Sequence, residues 1–221
     1  MKLYVLPGAC SLASHIALET AAERVPTGTP LWEVVVLQRG RNHDPEYTAV
    51  NPLSTVPALV TAAGQLVVES VAVLLHIADA FPQARLAPPV GDPDRDRIHA
   101  LLSVMVTAGH TAFQMLWRSE RFADTDAGRA SVQRMCEPRI GTLLERLERQ
   151  IGVAGYLVGD RPTVVDMYLY VLGRWGLRLE HPTSRYPLLW QFIERMAVSG
   201  AVQRAMEREG ITLHGPKVGL G

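Results

Sequence analysis

The sequence predicts an α/β amino-terminal domain followed by an all-helical carboxy-terminal domain. Three observations carry that expectation. Short β-branched and aromatic runs bounded by turn residues are confined to roughly the first 80 residues. A proline-dense stretch, with Pro82, Pro88, Pro89 and Pro93, then interrupts the chain. Beyond it the apolar spacing is helical, with no clear strand. The chain has 221 residues, 48% of them apolar, enough for one large domain or two small ones.

Residues 3–6 (Leu-Tyr-Val-Leu) form a strand stopped by Pro7-Gly8. From Ser11 the spacing turns helical, with Leu12, Ile16, Ala17, Thr20 and Ala21 on one face. Gly28-Thr29-Pro30 is a loop, residues 31–37 a buried strand, and residues 38–50 a polar, irregular segment. Residues 56–61 and 66–68 read as antiparallel strands around the turn Ala62-Ala63-Gly64-Gln65. Residues 70–81 return to helical periodicity through Val71, Leu74, Leu75 and Ala78. This order gives the thioredoxin-like βαβ–ββα layout over residues 1–81. Residues 82–93 read as a linker, because such proline density cannot continue a helix. Residues 94–120, 128–151, 163–178 and 188–209 then read as helices of a domain spanning 94–221.

Formal net charge is zero, which argues against a nucleic-acid or anionic-membrane surface. No unbroken apolar run approaches the roughly 18 residues of a membrane span. Pro7 breaks the apolar start too early for a signal peptide. The two cysteines, Cys10 and Cys136, form no disulfide framework and fit a reducing cytoplasm. The seven histidines are scattered without zinc-ligand spacing, so no metal is expected.

Cys10 falls between the first strand and the first helix. Unpaired N–H groups and the helix dipole there favour a thiolate, lowering its pKa. The alternative is a small buried hydrophobe. With Ser11 rather than cysteine beside it and no Cys-x-x-Cys, any disulfide of Cys10 involves an external thiol. Ser11 is placed to cap the helix or to donate to a bound sulfur. Pro57 opens a strand, where a cis Val56–Pro57 bond would turn the Val56 backbone groups outward toward an extended peptide. Glu69-Ser70 opens the next helix, where Ser70 can bind a carboxylate and Glu69 an amine.

Taken together, Met1-Lys2-Leu3-Tyr4, Pro7-Gly8-Ala9-Cys10-Ser11-Leu12, His15-Ile16-Ala17-Leu18-Glu19, Asn51-Pro52, Val56-Pro57-Ala58-Leu59 and Glu69-Ser70-Val71-Ala72-Val73 resemble the cytosolic glutathione S-transferase family, most closely its bacterial beta class. Gly159-Asp160, Thr163 and Asp166 resemble that family's helix-capping motif, Thr163 capping and Asp166 reaching back. The resemblance implies the glutathione transferase fold, with glutathione as co-substrate. It places Cys10 against the glutathione sulfur, within reach of a mixed disulfide, and brings His110 toward the same sulfur. It places Val56, ahead of Pro57, on the cysteinyl backbone, and Glu69 and Ser70 on the γ-glutamyl end. Arg39 and Arg41 are the candidates for the glycyl end. Thr111 stands where the family often has a basic residue, and Leu53-Ser54-Thr55 replaces a glycine-containing turn. Met105, Phe113, Met115, Leu116 and Trp117 lie near His110, but their spacing is that of core residues.

The implied activity is a glutathione S-transferase that activates the thiol against small hydrophobic electrophiles, with thiol–disulfide exchange at Cys10 as a second chemistry. The resemblance further implies a homodimer, with detoxification as its expected role; the cysteine usage and charge lead to the expectation of a cytoplasmic protein without nucleic-acid or membrane partners. The alternative is a non-catalytic binding or regulatory protein on the same fold.

Overall fold

The computed structural model describes residues 1–25 and 32–215. The expected loop at residues 28–30, and Leu31, lie outside them. Four strands form one sheet in the order β2-β1-β3-β4. Strand β1 (Lys2–Val5) is central, and β2 (Glu33–Val36) lies parallel to it. Strand β3 (Ala58–Val60) runs antiparallel to β1 with Leu3 opposite Leu59, and β4 (Leu66–Val68) returns beside β3. The parallel pair needs a crossover, which helix α1 (Leu12–Arg24) supplies. Strands β2 and β3 are shorter than the apolar runs suggested, whereas β1 keeps the expected length and β4 the expected bounds.

The irregular segment holds one 3₁₀ turn and a short helix, α2 (Pro45–Val50). Helix α3 (Ser70–Ala80) follows β4. The proline-rich stretch is docked rather than loose: Ala84 and Leu86 are buried. Arg24 donates to the carbonyls of Ala84 and Pro162, and Val164 N–H donates to Leu86 O.

The helical region comprises α4 (Pro93–Val104), a π-helical turn Met105–His110, α5 (Thr111–Trp117), α6 (Asp126–Glu148), α7 (Val164–Gly176), α8 (Pro187–Ala197) and α9 (Gly200–Arg208). Two expected helices are therefore interrupted. Arg118 leaves the helical conformation after Trp117, and Ser199, extended at φ −69° and ψ 142°, separates α8 from α9. The Ser199-Gly200 pair has weak helix propensity, so the apolar periodicity continues across a break.

Pro93–Trp117 is by length and composition apolar enough to cross a membrane, with a mean hydropathy of 1.2 in its most apolar window. Ser103, Thr107, Gly109 and Thr111 punctuate it, so it holds no long unbroken apolar run. Its Ile98, Leu102, Met105 and Phe113 are buried against the rest of the protein, as in a core helix. Every residue of α7 is buried, so this helix is the axis around which the others pack. One continuous core runs from Leu3, Val5 and Leu59 of the sheet through Ile16 of α1 to Tyr168 and Leu172 of α7.

Candidate active site

The first wall of the site is the loop between β1 and α1. Gly8 turns the chain at φ +69°, a conformation open to glycine at little cost. Helical-region groups hold both sides of that turn: Glu209 accepts from Gly8 N–H at 2.8 Å, and Trp175 Nε1–H donates to Gly8 O at 2.9 Å. Glu209 is itself buried and pairs with the fully buried His15 at 2.9 Å. Cys10, 7% exposed, donates its Sγ–H to Val56 O at 3.2 Å.

Two expectations about this wall need correction. Ser11 makes no side-chain cap. It is fully buried, accepts from Leu6 N–H at 3.1 Å and donates to Leu6 O at 3.5 Å, so its hydroxyl braces the loop. Nor is the Cys10 thiol acidified. Burial pushes its pKa up to about 11, outweighing the Ser70 hydroxyl and Ser11 N–H that stabilise the thiolate, while Glu69 adds repulsion. Cys10 is a neutral thiol at neutral pH.

The second wall comes from the loop before β3 and the start of α3. Fully buried Asn51 accepts from Leu53 N–H and donates to Thr55 O, and Tyr47 donates to the same carbonyl. This network delivers the chain to Val56–Pro57, whose bond is cis, as the strand-opening proline suggested. After β4, exposed Glu69 sits at φ +70° and ψ 132°. A non-glycine residue held there costs on the order of 1–3 kcal/mol and is a frequent mark of functional sites. Ser70 is 5% exposed, and its hydroxyl faces both the Cys10 thiol and the Tyr168 phenol.

The helical region closes the third side. His110 ends the π-helical turn, a distortion frequent at functional sites. Gly109 beside it allows close packing: a Cβ there would lie 2.8 Å from Leu143 Cδ2 and 3.0 Å from Leu172 Cδ1. His110 Nδ1 lies 3.0 Å from Tyr168 Oη, and Nε2 lies 3.2 Å from the Gln114 amide nitrogen. Burial lowers the His110 pKa to about 4, so the ring is neutral at pH 7. The Trp175 ring lies 5.2 Å from it, centroid to centroid.

Cys10 is thus hydrogen-bonded to Val56 and has Glu69 and Ser70 as neighbours, but His110 is hydrogen-bonded to Tyr168 and not to Cys10. Tyr168 and Trp175 were missed in the sequence. A usable signal existed: a tyrosine inside the apolar run of residues 167–172 must find a partner for its hydroxyl. Arg39 donates to Pro7 O at 3.1 Å beside the cleft, whereas Arg41 is held by Asp44 at 2.8 Å. Met105 and Phe113 are core residues. Trp117, 41% exposed, stacks against Phe113 and Trp175. Cavities of about 440 and 570 Å³ lie elsewhere, and neither is lined by Cys10, Val56, Ser70 or His110. No cluster of three or more metal-ligating side chains occurs among the described residues.

A four-stranded thioredoxin-like sheet packed on an all-helical region around one continuous core defines the fold class. Comparison with known proteins narrows it. The family "Glutathione S-transferase, N-terminal domain" matches residues 22–80, and "Glutathione S-transferase, C-terminal domain" matches residues 100–199. Glutathione S-transferase GstA of Escherichia coli O157:H7 is 30% identical over 211 residues, covering 96% of this chain and all of the relative. A bacterial beta class glutathione S-transferase from Sphingomonas chungbukensis superposes with a TM-score of 0.79 at 31% identity, covering 95% of this chain and 99% of that one. A sphingomonad glutathione S-transferase complexed with glutathione gives 0.79 at 32% identity, covering 96% and 100%. The chain belongs to the glutathione S-transferase family, with bacterial beta class enzymes among its structural neighbours.

Proposed function

We propose that this glutathione transferase binds glutathione along the sheet edge and activates its thiol against small hydrophobic electrophiles. One observation carries the reading. Cys10, the cis Val56–Pro57 bond and the strained Glu69-Ser70 corner converge, with Cys10 Sγ only 3.2 Å from Val56 O. Val56 offers its backbone to the cysteinyl residue, an extended-peptide contact. Ser70 and the first turn of α3 take the γ-glutamyl carboxylate, and Glu69 its amine. Arg39, beside Pro7, suits the glycyl carboxylate better than Arg41, which Asp44 engages. The sulfur lies by Cys10 and Tyr168, with His110 behind the phenol. In this reading residues 1–81 bind glutathione, 82–93 connect, and 94–221 supply the electrophile side through Trp117 and its aromatic neighbours. The physiological form is a cytoplasmic homodimer serving detoxification.

Cys10 adds a second reaction. Its thiolate attacks a glutathione mixed disulfide, forming Cys10–S–S–glutathione and releasing the substrate as a thiolate. A second glutathione thiolate then releases Cys10 and leaves as glutathione disulfide. Because the Cys10 thiol titrates at about 11, adduct formation accelerates as pH rises above neutral.

A non-catalytic binding protein is the rival reading, and the retained Cys10, Val56-Pro57 and Glu69-Ser70 favour the enzyme. Retention on glutathione resin, with assays on chlorodinitrobenzene and on a mixed disulfide, separates the two. Cys10→Ala is expected to keep the fold and lose the covalent adduct. An adduct mass persisting in that variant removes Cys10 from the exchange chemistry.

A further inference from the structure

We propose that the cavity at the seam between the sheet-bearing and helical regions is a second ligand site, which takes a small organic monocarboxylate with an apolar body. It lies apart from the Cys10 cleft and does not depend on how that cleft is read. The cavity holds about 440 Å³, within the range of small-molecule sites. Its walls are apolar at Ala78 of α3, at Pro82, Ala87 and Pro88 of the proline-rich segment, and at Val158 ahead of α7. Gly159, at φ +73°, has no heavy atom within 4 Å of where a Cβ would stand, which leaves its side of the cavity open.

Two arginines give the cavity its sign. Arg95, in the first turn of α4, is 4% exposed and ties the seam together. Its Nη1 and Nη2 donate to the two oxygens of Asp79 at 2.9 and 3.0 Å. Nη1 also donates to Pro88 O at 3.0 Å, and Nε to His99 Nε2 at 2.9 Å. Those bonds use four of the five guanidinium N–H groups. The fifth, on Nη2, has no acceptor among the described residues. Arg85 is the second cation. It closes the 3₁₀ turn Pro82–Ala84 in the left-handed conformation, at φ +50°. Its guanidinium makes no hydrogen bond or ion pair among the described residues.

Two of the cavity's acids are already engaged: Asp79 by Arg95 and Asp160 by Arg161, each at 2.9 Å. Asp94 has no ion pair among the described residues. A spare N–H on a buried arginine and an unpaired guanidinium suit one carboxylate. The unpaired Asp94 disfavours a second negative charge, which sets phosphates and nucleotides aside. The apolar walls then favour an alkyl body behind the carboxylate. Because α3, the proline-rich segment, α4 and the loop before α7 all supply walls, the site is whole only while the two regions stay docked. An occupant therefore stabilises the docked protein by mass action.

Calorimetry tests this by titrating octanoate into the full chain, with octanol as the uncharged counterpart. Octanoate is expected to bind more tightly than octanol and to raise the thermal unfolding midpoint as its concentration rises. Arg85→Gly suits a left-handed position, so the fold should hold. It is expected to weaken octanoate roughly tenfold, the scale of a hydrogen bond to a charged group, and to leave octanol unchanged. Ala87→Phe fills the cavity from the partly exposed proline-rich segment and is expected to abolish binding of both. The two variants decide independently, so misfolding of one leaves the other to settle the assignment. Failure of octanoate to bind the unaltered protein overturns the proposal. An octanoate affinity that either folded variant leaves unchanged also overturns it, because the occupant would then sit elsewhere.

Discussion

Helices α3 and α7 start with the same kinds of residue and use them in opposite ways. At α7, Asp166 is fully buried and accepts from Leu157 N–H, Thr163 N–H and Thr163 Oγ1–H, all at 2.8–2.9 Å. Its donors are consumed within the chain, and the corner is a folding device. At α3, Glu69 is exposed, makes no cap and is held at φ +70°. Ser70 beside it faces a thiol and a phenol instead of closing its own helix. A hydroxyl and a carboxylate at a helix start therefore signal stability where the carboxylate is buried. They signal binding where the carboxylate stays in water and the backbone carries strain.

The largest expected effect tests the folding corner. Asp166→Ala leaves buried donors unmet at about 1–3 kcal/mol each, with some relief by relaxation, so a loss of about 3–5 kcal/mol is expected. Urea denaturation measures it. Cys10 alkylation in the folded fraction should be unaffected, and a matching change there would show that the two corners are not separate.

A pH experiment comes next. Burial raises Asp166 to about 6 from 3.8 and lowers His110 to about 4 from 6.5. Between those values the folded chain keeps a proton on Asp166 that the unfolded chain sheds, so this contribution fades as pH rises through about 6. His110 acts oppositely: the unfolded chain binds a proton the folded chain refuses, so stability falls as pH drops from 6.5 toward about 4. In wild type the two oppose each other. In Asp166→Asn the histidine acts alone, and denaturation midpoints should climb more steeply with pH across that window. A slope equal to wild type would discard the assignment.

Smaller effects belong to the binding corner. Ser70→Ala should weaken glutathione binding by about 1–2 kcal/mol, the scale of a hydrogen bond to a charged group. It should also slow Cys10 alkylation, since the hydroxyl stabilises the thiolate. Calorimetry with unchanged affinity removes Ser70 from the site. Glu69→Gly relieves the left-handed backbone and should leave stability unchanged or raised by up to about 1 kcal/mol, while binding weakens. A clear loss of stability would mean that Glu69 serves the fold.

Local signals explain what the sequence made legible. Pro7-Gly8, the Ala62–Gln65 turn and Pro57 punctuate the chain where the strands end. Thr163 and Asp166 mark the start of α7 in the spacing of a capping box. The cleft residues Cys10, Val56, Glu69 and Ser70 were legible as neighbours because each sits at an element boundary. Properties set by distant packing were not. The burial of Cys10 depends on the core closing around it, so its pKa moves against the helix-end expectation. The fate of Ser11 was decided by Leu6, across the turn. Tyr168 lies 58 residues from His110, and no local pattern joins them. The break at Ser199 was hidden because the apolar face continues on both sides.

Glu209 grips Gly8 across a separation of 201 residues. During synthesis, the turn preceding Cys10 lacks that grip until residue 209 has left the ribosome. A nascent chain halted just past α7 would carry every site residue named above, yet its Gly8 amide would still lack the carboxylate that later receives it.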